Sequence, residues 1–161
     1  MDNEAFNWYI TGFTDGEGSL TTGIGKSKRH RLKYHIQPMF AIGLRYDDRE
    51  ILEKIRIALK CGRIYFHKKF GGHRQHCYVY MVGGRKDLVR YIIPFFDKYP
   101  LQTRKKEAYK IWREIVLKLS SKKRLYRNDL IDIFRLILKM DITDKRRARI
   151  NEIIEELSGG S

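Results

Sequence analysis

Between Lys33 and Leu44 the apolar residues Tyr34, Ile36, Phe40, Ile42 and Leu44 recur at even positions, and Lys33, His35, Gln37, Met39, Ala41 and Gly43 alternate with them. A run of period two this long requires a strand with one covered and one open face, which an antiparallel sheet supplies. Pro38 interrupts the run on its apolar side; lacking an N–H, it predicts an edge position or a bulge. Shorter runs predict strands at Ser19 to Gly25, Arg63 to Lys69 and Gln75 to Val82. The polar run Lys26 to Arg31 and the pair Gly71 and Gly72 read as their connecting loops.

Elsewhere the apolar spacing changes to that of a helix. Phe6, Tyr9, Ile10 and Phe13 predict a helix from Glu4 to Thr14 that stops between Asp15 and Gly18. Asp47 or Asp48 can cap a second, running to about Lys60 with Ile51, Ile55, Ala58 and Leu59 inward and Gly62 ending it. Gly83 and Gly84 precede a third from Lys86 to Tyr99, and Thr103 to Leu119 forms a fourth around Ala108, Ile111, Trp112 and Ile115. Two more stretches, Asn128 to Lys139 and Thr143 to Leu157, follow the polar turn Ser120 to Arg124. Strand pairs interleaved with helices predict an α+β fold, an antiparallel sheet with helices packed on one face. No run of 18 apolar residues exists, so no membrane span is expected; the opening Met1-Asp2-Asn3-Glu4 does not read as a signal peptide. Cys61 and Cys77 match neither a disulfide framework nor a zinc pattern and read as reduced thiols.

Charge narrows the function. The chain carries a net charge of +15, and two acid-free segments supply all of it. Glu17 to Asp47 encloses Lys26, Lys28, Arg29, Arg31, Lys33 and Arg45; Glu53 to Asp87 encloses nine more cations, among them Arg63, Lys69 and Arg74. Both segments coincide with the strand pairs, so the charge lies on one sheet. Clustered cations on a sheet suit a polyanion, and a two-stranded ribbon fits a DNA major groove. A basic membrane-binding helix fits less well, because these segments do not read as helices.

Ile10-Thr11-Gly12-Phe13-Thr14-Asp15-Gly16-Glu17-Gly18 resembles the signature of the LAGLIDADG homing endonucleases. Thr11 stands where that family commonly has alanine, Thr14 replaces an apolar residue, and Glu17 takes the place of the last aspartate. Phe40-Ala41-Ile42 through Asp47-Asp48-Arg49-Glu50-Ile51-Leu52 is similar to the family's second strand and second helix, and Pro100-Leu101-Gln102-Thr103-Arg104-Lys105-Lys106 to its Pro-Leu-x-Thr-Lys-Lys region. The resemblance covers roughly residues 5 to 118. It divides the chain into an αββαββα core (1–122), a helical extension (123–157) and a flexible tail (158–161), with the sheet as a DNA-binding saddle.

The resemblance implies a site-specific double-strand endonuclease, intracellular in the compartment that holds its target DNA, a prokaryotic cytoplasm or an organelle. Glu17 and the Gly16 carbonyl would hold Mg²⁺, with Mn²⁺ as substitute, and Lys105 or Arg104 would stabilise charge on the phosphate. Gly12 and Gly16, four residues apart, let a second helix approach closely, so Gly12, Phe13, Asp15 and Gly16 are expected at a homodimer interface. Base reading is expected from residues of one strand parity, Thr21, Lys33, His35, Gln37, Arg63, Tyr65, His67 and Lys69. Lys26, Lys28, Arg29, Arg31 and Arg74 would add backbone contacts. Where the family often has a water-ordering glutamine, this chain has Leu44, which leaves Arg45 and Gln37 as candidates. Two rival readings are a maturase binding intron RNA and a DNA-binding protein that does not cut.

Overall fold

A computed structural model describes residues 3–68 and 76–159. Along the chain run α1 (Glu4–Glu17), β1 (Gly18–Lys26), β2 (Tyr34–Arg45), α2 (Arg49–Leu59), β3 (Arg63–His67) and β4 (Cys77–Val82). The helices α3 (Arg85–Asp87), α4 (Ile93–Lys98), α5 (Lys105–Ser121), α6 (Arg127–Ile137) and α7 (Asp144–Gly159) follow. The four strands form one antiparallel sheet in the order β1-β2-β4-β3, as the α+β reading expects.

The period-two pattern of β2 sets the layers. Its even residues from Tyr34 to Ile42 are buried, and Leu20 and Thr22 of β1 and Tyr80 and Val82 of β4 share that side. Helices cover this face: the Phe40 ring meets Phe96 of α4 edge-on at 5.4 Å, and Tyr34 meets Phe134 of α6 at 6.4 Å. From α5, the buried Trp112 donates its indole N–H to the Thr21 carbonyl at 3.1 Å. Arg146 of α7 reaches the free edge of β1, donating to the Thr22 carbonyl and, at 2.8 Å, to its hydroxyl. An edge strand with unpaired backbone groups invites pairing with another chain, and α7 closes that opening.

Pro38 shows why an inner strand tolerates a proline. The ladder between β2 and β4 ends at Phe40 and Val82, so at Pro38 only β1 lies alongside. The Ser27 N–H bonds the Lys33 carbonyl, which makes odd residues of β2 the hydrogen-bonded ones toward β1. The nitrogen of Pro38 therefore faces the side that β4 has left, where no ladder bond is lost.

Several boundaries differ from expectation. Helix α1 continues through Glu17 because Lys105 satisfies its last carbonyls, as described below. The single helix expected over Lys86 to Tyr99 is split by a π turn at Leu88–Ile92, directly before Pro94. Proline removes one N–H and displaces the carbonyl four residues back, which widens the preceding turn. Helix α2 ends at Lys60, whose backbone is left-handed (φ 59°), two residues before Gly62. Ser158 and Gly159, expected in the tail, belong to α7, and the Ser158 hydroxyl donates to the Ile154 carbonyl at 2.7 Å. Lys69, Gly71, Gly72, Arg74, Gly160 and Ser161 lie outside the described residues.

Candidate functional site

Helix α1 passes into β1 without a loop, and the side chains around this junction have three separate fates. Gly18 caps the helix with its N–H on the Thr14 carbonyl. A Cβ at Gly18 would lie 2.5 Å from Thr14 Cγ2 and 2.8 Å from the Thr14 carbonyl oxygen, so only glycine permits so abrupt a turn. Lys105, in the first turn of α5, points its ammonium at the same place. Its Nζ donates to the carbonyls of Thr14 (2.7 Å), Asp15 (3.0 Å) and Gly18 (2.6 Å). The last carbonyls of a helix lack partners and carry its negative end, so a cation is stabilised there. Burial draws the Lys105 pKa below the ordinary lysine value, against the pull of Asp15 and Glu17.

The Asp15 carboxylate turns into its own chain. It accepts from the Gln102 N–H at 2.8 Å, the Thr103 N–H at 3.2 Å and the Thr103 hydroxyl at 2.7 Å. Burial works to raise its pKa, but these bonds and nearby Lys105 together hold it below the ordinary value. Glu17, two residues on, is exposed and makes no hydrogen bond or ion pair among the described residues. Arg104, at the start of α5, is likewise exposed and unpaired. Lys105 gives its three donors to these carbonyls, while the Arg104 side chain is open to an anion. The Asp15 carboxylate anchors the loop before α5.

The free donors at the junction are oxygens. Lys105 takes the carbonyls of Thr14, Asp15 and Gly18 but not that of Gly16, and the Glu17 carboxylate beside it makes no ion pair among the described residues. A carboxylate and a carbonyl suit a hard divalent ion such as Mg²⁺ or Mn²⁺, which keeps water and phosphate oxygens as its other ligands. Among the described residues no group of three or more His, Cys, Asp or Glu is placed to hold a metal.

Helix α1 buries Ile10, Thr11 and Thr14 and leaves its other side bare. There Trp8 and Tyr9 are 43% and 45% exposed, and a Cβ at Gly12 or Gly16 would meet nothing within 4 Å. Phe6, Tyr9 and Phe13 stack along the helix with centroids 5.6 Å apart. An aromatic stripe with empty space over its glycines is an unfilled packing face.

The odd-numbered sheet face is open. Register places Ala41 beside Met81 and Arg63 on one row, and Gly43 beside Val79 and Tyr65 on the next. Among the described residues this face carries no acid. Its centre is small and apolar, while Thr21, Gln37, Arg63, Tyr65 and His67 bring polar groups to its flanks. The central residues Met39, Ala41, Val79 and Met81 escape a search for charge, although they share the parity of Arg63. His35 lies over Gly25, where a Cβ would fall 2.0 Å from the imidazole, and Gln37 donates to the Gly83 carbonyl at 2.8 Å. Gln37 sits opposite Gly23, five positions from the Gly18–Ile42 pair, too far to order water at the junction. Arg45 pairs with Asp47 at 3.0 Å, and Leu44 is half-buried on the core side.

Lys26, the last residue of β1, and Lys33, just before β2, both lie close to α7. Lys26 has the parity of Leu20 and Thr22, and both ammoniums lie near Glu156 of α7, at 3.9 and 3.8 Å. Lys28 and Arg29 are exposed in the hairpin loop, whereas Arg31 donates to the Leu125 carbonyl. No helix among the described residues is long and apolar enough to cross a membrane.

Comparison with known proteins agrees with this geometry. The sequence profile of the LAGLIDADG endonucleases matches residues 10–116. The homing endonuclease I-ApeII of Aeropyrum pernix is 30% identical over 96% of this chain and 92% of its own. Other curated relatives are longer, and the chain spans 19–44% of their length. Among solved structures, the homing endonuclease I-TnaI superposes with a TM-score of 0.81 at 24% identity, over 94% of this chain and 97% of that one. The LAGLIDADG homing endonuclease I-LtrWI, solved on its target DNA, gives 0.76 at 28% identity, over 83% of this chain and 43% of that one. With the family profile covering more than half of the chain and the signature spanning the α1–β1 junction, the chain belongs to the LAGLIDADG endonuclease family.

Proposed function

We propose that this chain is a site-specific DNA endonuclease that works as a homodimer and breaks both strands of a long, near-palindromic duplex site with Mg²⁺ or Mn²⁺. It would act in whichever compartment holds that DNA. The observation that carries the reading is the free Glu17 carboxylate, held by a fixed helix end at the border of an acid-free sheet face. The name of the Aeropyrum relative and the DNA-bound state of I-LtrWI support it.

The chain's own residues divide the work. Glu17 and the Gly16 carbonyl would hold the ion, which when bound supplies water activation and neutralises charge on the phosphate. Lys105 keeps the junction backbone in place, and Arg104 opposes the negative charge that grows on the phosphate. One chain has one such centre, so two cuts require two chains. The bare stripe of α1, with Gly12 and Gly16 at its middle, is the surface on which the second copy packs. Each β1 strand of nine residues spans about 30 Å, or on the order of nine base pairs per subunit.

The test is a cleavage selection on a randomised plasmid library in Mg²⁺, run beside Glu17→Gln and a Ca²⁺ control. Cutting at one long near-palindromic site by the wild type alone is the expected result. Tight binding without cutting in any metal would overturn the nuclease reading.

A further inference from the structure

Beyond the sheet face, a second basic region lies at the far end of the β1–β2 hairpin. A cleft of about 480 Å³ opens there between His30–Leu32, the start of α3 and the turn after α5. Arg31, Arg85, Lys122, Lys123 and Arg124 line it, and no acidic residue does. Arg31 donates to the Leu125 carbonyl at 2.8 Å and lies 5.7 Å from the Tyr126 ring; Arg85 donates to the Leu119 carbonyl at 2.8 Å. Each bond uses one of the five N–H groups of a guanidinium, so both forks are fixed with donors left over. Lys122 is neutralised from outside the cleft by Asp129 at 2.6 Å, but Lys123 and Arg124 are exposed and unpaired among the described residues.

Backbone donors add to this charge. Tyr34 and Ile36 also line the cleft, and the ladder register turns their N–H groups away from β1, toward the side where β4 has ended. Fixed cations without a counter-charge are what a phosphate chain requires. The hairpin end at which the cleft opens lies one strand length, about 30 Å, from the α1–β1 junction, at the outer limit of the sheet.

We propose that this cleft grips the phosphodiester backbone of the target DNA beyond the segment read by the sheet, making the α5–α6 turn a clamp on the flank. The inference rests on the DNA-binding reading above and adds to it a site in the helical extension. Its test compares the whole protein with the Lys123→Ala, Arg124→Ala double variant on two random-sequence duplexes. One is about 18 base pairs, the span of two sheets, and the other about 40. On the longer duplex the variant should bind more weakly, with a log affinity against log salt slope shallower by about 1.8 per chain, two phosphate contacts at about 0.9 each. On the shorter one it should match the wild type, as should its thermal unfolding.

Equal slopes on the longer duplex, with a wild type that binds, would overturn the clamp and leave the DNA reading standing. The same loss at both lengths would place these cations on the read segment and overturn it too, as would a loss seen with a structured RNA and not with duplex DNA. If the wild type binds no DNA at any salt, the underlying reading fails, and the clamp with it. Lys123→Glu with Arg124→Glu should enlarge the effect in the same direction.

Discussion

At the end of α1 and at the far end of the β1–β2 hairpin, cations hold backbone carbonyls, yet the two places are left with different capacities. Lys105 gives all three of its donors to α1 and β1 and becomes part of the scaffold. Arg31 and Arg85 each give one and keep the rest. The carboxylates at the junction divide in the same way, Asp15 bonded three times and Glu17 not at all. Whether a charged residue is structure or site depends on what remains unpaired after folding, and its sign alone does not decide that.

The largest expected effect separates Glu17 from its neighbours. Glu17→Gln should reduce cleavage by more than about a hundredfold, since even outer-shell partners of a metal are worth 10–100-fold. Its urea unfolding should stay within about 0.5 kcal/mol of wild type, as for an ordinary surface change. A clear loss of stability would make Glu17 a second Asp15 and erase the contrast. Next, Lys105→Met should cost about 2–3 kcal/mol in urea unfolding, because charge-assisted bonds to helix-end carbonyls are lost together. Arg31→Met, with one bond at an exposed site, should cost about 1 kcal/mol or less.

Asp15 sharpens the contrast through pH. Its bonds hold the folded pKa below the ordinary 3.8, so its contribution is complete above that value and is lost as pH falls through the folded pKa. Thermal unfolding should therefore fall more steeply below about pH 4 in the wild type than in Asp15→Asn, which starts about 1 kcal/mol less stable at neutral pH. Parallel curves would show that the carboxylate contributes no charge-dependent stability. The smallest effect has opposite signs in two assays. Gly12→Ala should stabilise the isolated subunit by about 0.5–1 kcal/mol, as alanine does in a helix with room for it. The same change should weaken self-association in sedimentation, because the added methyl stands where the second copy approaches.

Much of this arrangement was legible before any coordinates. Period two in β2 predicts the covered and open faces, but the acid-free segments do not put all their charge on the sheet: Lys54 and Arg56 lie in α2, Lys60 caps it, and Arg85 and Lys86 begin α3. Pro38 even signalled where β2 loses a neighbour. The fates of Asp15 and Lys105 were not legible, because they depend on a contact between residues some ninety positions apart. Sequence shows that both are charged and that Asp15 is two residues from Glu17, but not that each finds partners across the junction. Nor does the sequence show that Glu156, at the opposite end of the chain, approaches Lys26 and Lys33.

The strict alternation of the sheet also bears on how such a protein could acquire a new target. Side chains on the open face contribute little to the core beneath, so substitution at Thr21, Arg63, Tyr65 or His67 could alter recognition while the fold survives. Two positions lack that liberty: His35 covers Gly25, and Gln37 ties β2 to Gly83 where the strands part. Evolution of specificity should run fastest at the first four and stall at these two, where a new base preference would come at the expense of the hairpin's own geometry.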